Sequence, residues 1–331
     1  MPDSMSNDIV RAQLLDRRFR VNSAMSEVHE NARLADLLKE IDAALERIDA
    51  GTYGICEICQ GVIEADILRL DPLVRVCFDD LSHDQRKAIE RDLELASGIQ
   101  AHLLPKNHVR LACWDISYVY EPAGSVSGDY CDVIRRPGGF ESTLFFVGDV
   151  SGKGVAASLL MSQLQAIFRT LADSASGIEE MVGRANRMLS EATHSTHFAT
   201  LVCVEARAGG AVAVCNAGHP RPLLLRKGAV STIEGASLPL GLFFSGVYES
   251  SALTLEEDDL LLLYTDGVTE CTDATGKEYG EARLHSALQR ACGTPPREVL
   301  DTILADMRTF RGATPRADDL TLMAIRLRSD A

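Results

Sequence analysis

The sequence predicts an α+β protein in which antiparallel sheets are covered by helices. Ahead of them come a helix, a small cysteine-bearing module and a connecting helix. Three observations predict this. Short apolar runs follow one another in hairpin-like succession from residue 109 to residue 327. Segments of helical period fall between blocks of strands instead of after each strand, which argues against a regular βαβ repeat. Finally, 46% hydrophobic content over 331 residues supplies core enough for one large domain and a smaller one.

The elements follow in order. Residues 1–25 are polar and mixed in charge and read as a tail or a frayed helix. The segment 26–81 opens with Leu34, Leu38, Ile41, Leu45 and Ile48, which recur by threes and fours as in an amphipathic helix. Gly51 stops that helix as a C-cap glycine would. Cys56-Glu-Ile-Cys59 follows, and seventeen residues later Cys77-Phe-Asp-Asp80. Cys56, Cys59 and Cys77 fit three positions of a four-ligand Zn²⁺ site, and Asp80 stands where the fourth cysteine belongs. His83 is the other candidate for that place. The competing expectation is a metal-free module held by Ile58, Val62, Ile67, Leu70 and Val76.

Residues 82–105 read as a linker helix, with Ser82 at its N-cap and Pro105 closing it. Ile89, Leu93, Ala96, Ile99 and Leu103 form a narrow apolar stripe. Such a stripe packs on the next domain or pairs with a second copy of the chain, as a homodimer. In the remaining domain, 106–331, strands are expected at 109–120, 143–147, 198–206, 211–216, 222–226, 252–255, 260–265 and 320–327. Helices are expected at 155–173, 177–192, 280–291 and 296–310, the last with Pro295 and Pro296 about its first turn.

Composition removes several function classes. A net charge of −15 argues against nucleic-acid binding, which needs a basic face. No apolar run approaches a bilayer span, and the N-terminus lacks a signal pattern. Nine scattered cysteines do not form a disulfide framework. A cytoplasmic protein without a membrane partner is the expectation.

The chemistry concentrates where strands end. Thr143-Leu-Phe-Phe-Val-Gly-Asp-Val-Ser-Gly-Lys-Gly-Val155 reads as a buried strand running into a glycine-rich turn, with Asp149 where the apolar run stops. It is not a phosphate-binding loop of the form G-x-x-x-x-G-K-S/T, because Gly148 to Gly152 is one residue short and Gly154 follows Lys153. Asp129, Asp266, Asp318 and Asp319 share the strand-end context. If the sheets bring those ends together, like charges meet and demand a cation. All-oxygen ligands select Mn²⁺ or Mg²⁺ over Zn²⁺, and two such ions make a site for in-line attack on a phosphate ester. Surface aspartates in turns are the bland alternative for any one of these positions.

Two resemblances refine the expectations. Glu46-Arg-Ile-Asp-Ala-Gly-Thr-Tyr-Gly-Ile-Cys-Glu-Ile-Cys59, with Cys77, resembles the DksA/TraR zinc-finger family over about residues 30–83. Members of that family bind RNA polymerase, so a polymerase-binding regulator with a non-catalytic appendage is one reading. Ser127-Gly-Asp-Tyr-Cys-Asp132, Gly148-Asp-Val-Ser-Gly-Lys-Gly154, Asn216-Ala-Gly-His219, Pro239-Leu-Gly241, Tyr264-Thr-Asp-Gly-Val-Thr-Glu270 and Asp318-Asp-Leu-Thr321 occur in that order. Together with Leu93-Glu-Leu-Ala-Ser-Gly-Ile-Gln-Ala-His-Leu-Leu-Pro105 they resemble the SpoIIE/RsbU branch of the protein phosphatase 2C (PPM) superfamily.

This second resemblance implies a four-layer αββα sandwich and a metal-dependent serine/threonine phosphatase controlled by its N-terminal module. It implies that Asp149 bridges two Mn²⁺ or Mg²⁺ ions. The Val150 carbonyl and Asp129 then serve one ion, Asp266 and Asp318 the other, and Asp319 lies adjacent. Asp149 and Asp266 are the implied catalytic pair, and water activated between the ions attacks phosphorus without a phospho-enzyme. The implied substrates are phosphorylated STAS-type anti-sigma-factor antagonists, which makes the protein a partner-switching element. His219 is either a proton donor or, the favoured reading, a histidine that shapes its loop. Lys153 meets phosphate or solvent, and His194 with His197 form a pair of chance spacing.

Overall fold

The computed structural model describes residues 10–11, 14–15, 17–19, 21–22, 32–64, 67–68, 71–77, 83–106, 108–111, 113–136, 142–192 and 197–328. The chain forms two compact units, Met1–Asp92 and Leu93–Ala331. No helix among the described residues is long and apolar enough to cross a membrane.

In the first unit the described residues between 10 and 22 are helical. Leu14 and Val21 are buried with Ile41, Ala44 and Tyr53. Ile41 and Ala44 come from α1, Ala32–Asp49, whose apolar face follows the expected three–four spacing. Gly51 takes a positive φ of 69° just beyond it. Arg47 ties α1 to the cysteine-bearing segment by donating to the Val74 carbonyl at 3.2 Å and the Leu73 carbonyl at 3.4 Å. The apolar support expected there needs correction. Ile58 and Val62 are 64% and 70% exposed, and Ile63 is the side chain buried against Ile67 and Val76. The bridge between Ile55 and Val62 sets this parity, since neighbouring residues of an extended segment face opposite ways. Leu70 and Asp80 lie outside the described residues.

Helix α2, His83–Leu103, spans the boundary at Leu93, and the second unit holds its C-terminal part and eleven strands in two antiparallel sheets. One sheet has the order β1-β2-β11-β10-β7-β8 and the other β3-β4-β5-β6-β9. Their ranges are β1 His108–Leu111, β2 Trp114–Glu121, β3 Asp129–Arg135, β4 Ser142–Val150, β5 Ala199–Arg207, β6 Ala211–Ala217, β7 Leu223–Arg226, β8 Ala229–Thr232, β9 Ser250–Thr254, β10 Leu260–Tyr264 and β11 Leu320–Leu327. The helices are α3 Gly154–Leu171, α4 Ile178–Ala192, the one-turn α5 Asp266–Thr269, α6 Gly280–Arg290 and α7 Pro296–Arg311.

Strand parity sorts the apolar residues into layers. On β4, Leu144 and Phe146 pack under α3 and α4, whereas Phe145 and Val147 face the other sheet. On β10, Leu260, Leu262 and Tyr264 pack under α6 and α7, whereas Leu261 and Leu263 face inward. Every one of these side chains is nearly solvent-free, worth roughly 1.5–3 kcal/mol each for burial. The result is a helix–sheet–sheet–helix sandwich. The expected strand 109–120 is two strands, paired as a hairpin with Leu111 opposite Trp114. Strands β3 and β8 were not expected. On α2, Ile89, Leu93, Ala96 and Leu103 are half-buried, while Leu95 and Ile99 are 64% and 57% exposed.

Candidate active site

Parity also aims the carboxylates. Asp149 continues the inward series Phe145, Val147, and Asp129 shares the face of Cys131, so both project between the sheets. The register sets Asp129 opposite Asp149 where the sandwich ends. From the other sheet, β10 ends at Tyr264, and Thr265 and Asp266 follow directly. Asp318 and Asp319 lead into β11, the neighbour of β10. Both sheets therefore deliver carboxylates to one end of the inner layer.

Asp129 is 2% exposed, and its Oδ2 accepts from the hydroxyls of Thr265 at 3.0 Å and Thr321 at 2.5 Å. These two threonines pin a residue of one sheet to the ends of two strands of the other. Burial, with Asp149 and Asp319 nearby, pushes the Asp129 carboxyl well above the usual range. The Asp149 carboxyl is pushed up to about 7, by burial first and then by Asp266, Asp318 and Asp319. Asp266 is raised by burial and by Asp318. These shifts mark crowded like charge.

Asp319 is turned away from that crowd. Its Oδ1 accepts from the Ala123 N–H at 2.7 Å and its Oδ2 from the Gly128 N–H at 2.9 Å. A carboxylate so used holds the loop 122–128 in place. Two glycines make the approach possible. A Cβ on Gly128 would lie 3.0 Å from the Val150 carbonyl oxygen, and one on Gly267 would lie 1.8 Å from that of Asp319. Lys153 caps the arrangement at the surface, its Nζ 3.0 Å from Asp318 Oδ2 and 2.6 Å from the Ala317 carbonyl. Arg316, which lines a depression with Gly267 and Asp318, is paired with Glu121.

His219 is 4% exposed, with Nδ1 2.9 Å from the Thr200 hydroxyl. Burial pushes its imidazole down to about 3, so it is neutral at pH 7. Asn216 closes the turn, donating to the His219 carbonyl at 2.9 Å and accepting from its N–H at 2.8 Å. Gly218, at φ 73°, packs on Pro239 so closely that a Cβ would come within 2.6 Å. The two motifs therefore brace one another. Thr200 faces Asp149 in the register, which links this scaffold to the carboxylates. His194 lies outside the described residues.

One contributor escaped sequence reasoning. Gln100 on α2 is 5% exposed, and its amide donates to the Ser127 carbonyl at 2.7 Å while accepting from the Ser127 N–H at 3.0 Å. Ser127 Oγ in turn accepts from the Asp129 N–H at 3.0 Å. The signal available was a lone amide inside an apolar stripe.

In the first unit, the sulfurs of Cys56, Cys59 and Cys77 all lie within 4.8 Å of one another, and those of Cys59 and Cys77 are 3.6 Å apart. The Ile58 N–H points at Cys56 Sγ from 3.4 Å. Among the described residues no other trio of such ligand atoms comes that close, so the aspartate oxygens stand wider apart. The side chain of His83 is outside the described residues.

A helix–sheet–sheet–helix sandwich of two antiparallel sheets is a phosphatase-2C-like fold. The SiaA-PP2C domain of Pseudomonas aeruginosa superposes with a TM-score of 0.63 at 20% identity, over 75% of this chain and all of that one. The PP2C domain and regulatory fragment of SpoIIE from Bacillus subtilis gives 0.57 at 18% identity, over 68% of this chain and 65% of that one. RsbX in complex with magnesium gives 0.51 at 17%, over 66% and 98%. The family model described as Stage II sporulation protein E (SpoIIE) matches residues 141–328, and the chain belongs to that family. It is similar to Protein IcfG of Synechocystis sp. (strain ATCC 27184 / PCC 6803 / Kazusa), 27% identical over 263 residues, which span 71% of this chain and 41% of that protein. Phosphoserine phosphatase RsbU of Bacillus subtilis (strain 168) is 25% identical over 194 residues, 58% of this chain and 57% of RsbU. The match thus spans less than two thirds of the length of these curated relatives.

Proposed function

We propose that this chain is a metal-dependent serine/threonine protein phosphatase. The observation that carries the reading is the gathering of Asp129, Asp149, Asp266 and Asp318 at one end of the inner layer, where crowding and burial push the Asp149 carboxyl up. Divalent cations relieve such crowding, and oxygen-only donors favour Mn²⁺ or Mg²⁺. Asp149, Asp266, Asp318 and the Val150 carbonyl would hold two ions, with Asp129 behind them. When bound, the ions would neutralise phosphate charge and lower the pKa of water. RsbX, of similar fold, has been solved with magnesium.

The chain's own residues position these groups. Thr265 and Thr321 fix Asp129, and Asp319 fixes the loop that carries Gly128. Lys153 puts an ammonium beside Asp318, where a phosphate oxygen can meet it. Asn216, His219 and Thr200 support the strand bearing Asp149. In hydrolysis a water oxygen bonds to phosphorus as the bond between phosphorus and the serine oxygen breaks, and the serine oxygen leaves with one of the water's protons. The substrate reading is a phosphorylated STAS-type regulatory protein, supported by likeness to a phosphoserine phosphatase. Control from the N-terminal side is supported by the grip of Gln100 on Ser127.

Turnover of p-nitrophenyl phosphate and of serine-phosphorylated STAS domains tests the reading. Asp149→Asn is expected to lose at least ~3 kcal/mol of transition-state stabilisation. Chelation is expected to abolish turnover and Mn²⁺ to restore it. Full activity of Asp149→Asn in chelator would end the proposal. Zinc on Cys56, Cys59 and Cys77 is a separate proposal, supported by the convergence of three sulfurs and measured by zinc content per chain.

A further inference from the structure

Arginine gathers beside the candidate site. A depression on the larger unit is lined by Arg308, Arg311 and Arg316, together with Glu121 and Cys271. The depression next to it is lined by Arg316 and Cys271 again, with Gly267 and Asp318, so the two share a wall and the second reaches the carboxylates. The chain makes both connections short. Arg316 precedes Asp318 by two residues, at most about 7 Å of chain. Cys271 stands one residue past the C-cap of α5, which begins at Asp266, about 7 Å away along the helix axis.

The charges in the arginine-lined depression do not balance. Arg316 donates to Glu121 and, at 3.2 Å, to the Pro122 carbonyl. Arg308 Nη2 lies 3.7 Å from the other oxygen of Glu121, and its side chain is 67% exposed. Arg311 is joined to no carboxylate among the described residues. Burial pushes the Cys271 thiol up, while Arg311 and Arg316 both act to bring it down, so the two guanidiniums stand near one sulfur.

A helix terminus offers the ordinary reading of such arginines. Arg308 and Arg311 stand in the last turn of α7, where the backbone carries about half a negative charge and favours cations. That accounts for two of the three and offsets only part of their charge. Arg316 comes from the segment after the helix and meets Arg308 over one carboxylate. Three guanidiniums thus face Glu121 and a half charge, in a chain whose net charge is −15.

Surplus positive charge here calls for an anion, and guanidinium recognises carboxylate through paired N–H donors. A phosphoserine held at the aspartates carries its chain neighbours with it, at about 3.3–3.6 Å per residue. An acidic side chain a few positions from the phosphoserine therefore reaches the depression. The net charge of −15 disfavours nucleic acid and anionic lipid as the occupant.

We propose that Arg311, with Arg308 and Arg316, forms a subsite for the carboxylate of an acidic residue close in sequence to the phosphoserine of the protein substrate. This rests on the phosphatase reading of the adjacent site. The test uses the full chain in Mn²⁺ and alanine-based phosphoserine peptides in which one glutamate is moved along both sides of the phosphoserine. In the wild type one placement is expected to raise kcat/KM over the all-alanine peptide by about threefold or more, mainly through KM, the scale of a partly exposed ion pair. Arg311→Gln is expected to remove that gain. Arg311→Glu is expected to prefer lysine at the same placement, an inversion that a merely structural role does not produce. A flat glutamate scan with the wild type overturns the proposal, and so does a gain that Arg311→Gln retains in full. A flat scan together with inorganic phosphate that binds the wild type and not Arg311→Gln, read by calorimetry, overturns it in favour of the free product as occupant.

If the chain hydrolyses none of these esters, the phosphatase reading fails and binding of labelled peptides, read by anisotropy, decides the subsite. Tighter binding of a glutamate peptide by the wild type than by Arg311→Gln then upholds it. Equal binding overturns it.

Discussion

His219 is a buried, neutral imidazole, and that decides what it can do. A general acid for a leaving serine acts as the imidazolium, and burial disfavours that charged form by pushing His219 down to about 3. Its work is to hold Thr200, the register partner of Asp149. The linkage sign follows from a depressed folded-state value. Above about pH 6.5 both folded and unfolded forms are neutral, and the native state keeps its full stability. As pH falls from there toward 3, the unfolded chain gains a proton that the native state refuses, and stability is lost. Histidine NMR on the wild type is expected to show one imidazole that does not titrate between pH 8 and 5. In urea unfolding, His219→Gln is expected to flatten the loss of stability between pH 6.5 and 4. A wild-type His219 that titrates near 6.5 would overturn this assignment. The residue was visible in the sequence, and so was the reading that it shapes its loop. Its hold on Thr200 and the packing of Gly218 on Pro239 were not, because these groups meet only when segments distant in the chain come together. The same holds for Thr265 and Thr321. They look like ordinary β-branched residues until the sheets stack and leave both hydroxyls on Asp129.

At the scale of elements, the strands the sequence reveals are those with apolar residues on both faces. Strands β4, β5, β10 and β11 lie inside the sandwich, so their runs are nearly continuous in Val, Leu and Phe. Strand β3, Asp-Tyr-Cys-Asp-Val-Ile-Arg, hides behind its charges. Asp132 is buried in it because Arg169 of α3 donates two hydrogen bonds to its carboxylate, at 2.9 and 2.8 Å. The β1–β2 hairpin reads as one strand because its turn contains neither Gly nor Pro. Strand β8 is a four-residue edge, entered through Lys227 and Gly228 at positive φ. Helix α2 reaches the candidate site through Gln100 and Ser127. Gln100→Glu keeps the shape of the side chain but removes the donor to the Ser127 carbonyl, and it adds a buried charge near Asp129. Losing that hydrogen bond is expected to cost about 1–3 kcal/mol. The melting temperature of the larger unit should fall by about 2–4 °C per kcal/mol. Mn²⁺ affinity by calorimetry should weaken as well, because Ser127 Oγ orients the Asp129 backbone. If both the melting temperature and the Mn²⁺ affinity match wild type, α2 does not govern the site through Gln100.

For the whole molecule, the two units rest on very different amounts of core. The Leu93–Ala331 unit has three apolar layers, and the hairpin-like succession of apolar runs made antiparallel sheets covered by helices legible in the sequence, while the four-layer order was implied by the family resemblance. Among its described residues, the Met1–Asp92 unit has one small cluster about Ile41 and Tyr53 and another that amounts to Cys56, Ile63 and Cys77 with a few half-buried neighbours. Small units of this kind commonly need a metal or a cross-link to persist. Three convergent sulfurs would supply ligands, and sequence spacing singled out the same three cysteines, with the fourth position open between Asp80 and His83. Elemental analysis of untagged protein purified without added metal is therefore expected to give about one zinc per chain. Calorimetry in excess Mg²⁺ is expected to resolve two transitions, with a zinc-selective chelator lowering only the one that belongs to the smaller unit. Cys59→Ser should reproduce that loss in the presence of zinc, because a hydroxyl is a poor replacement for thiolate on this ion. Turnover of p-nitrophenyl phosphate by Cys59→Ser in Mn²⁺ then reports whether the metal of one unit governs chemistry in the other. Protein that carries no zinc, and whose first transition ignores the chelator, would show that Ile63 and its neighbours hold the module without metal.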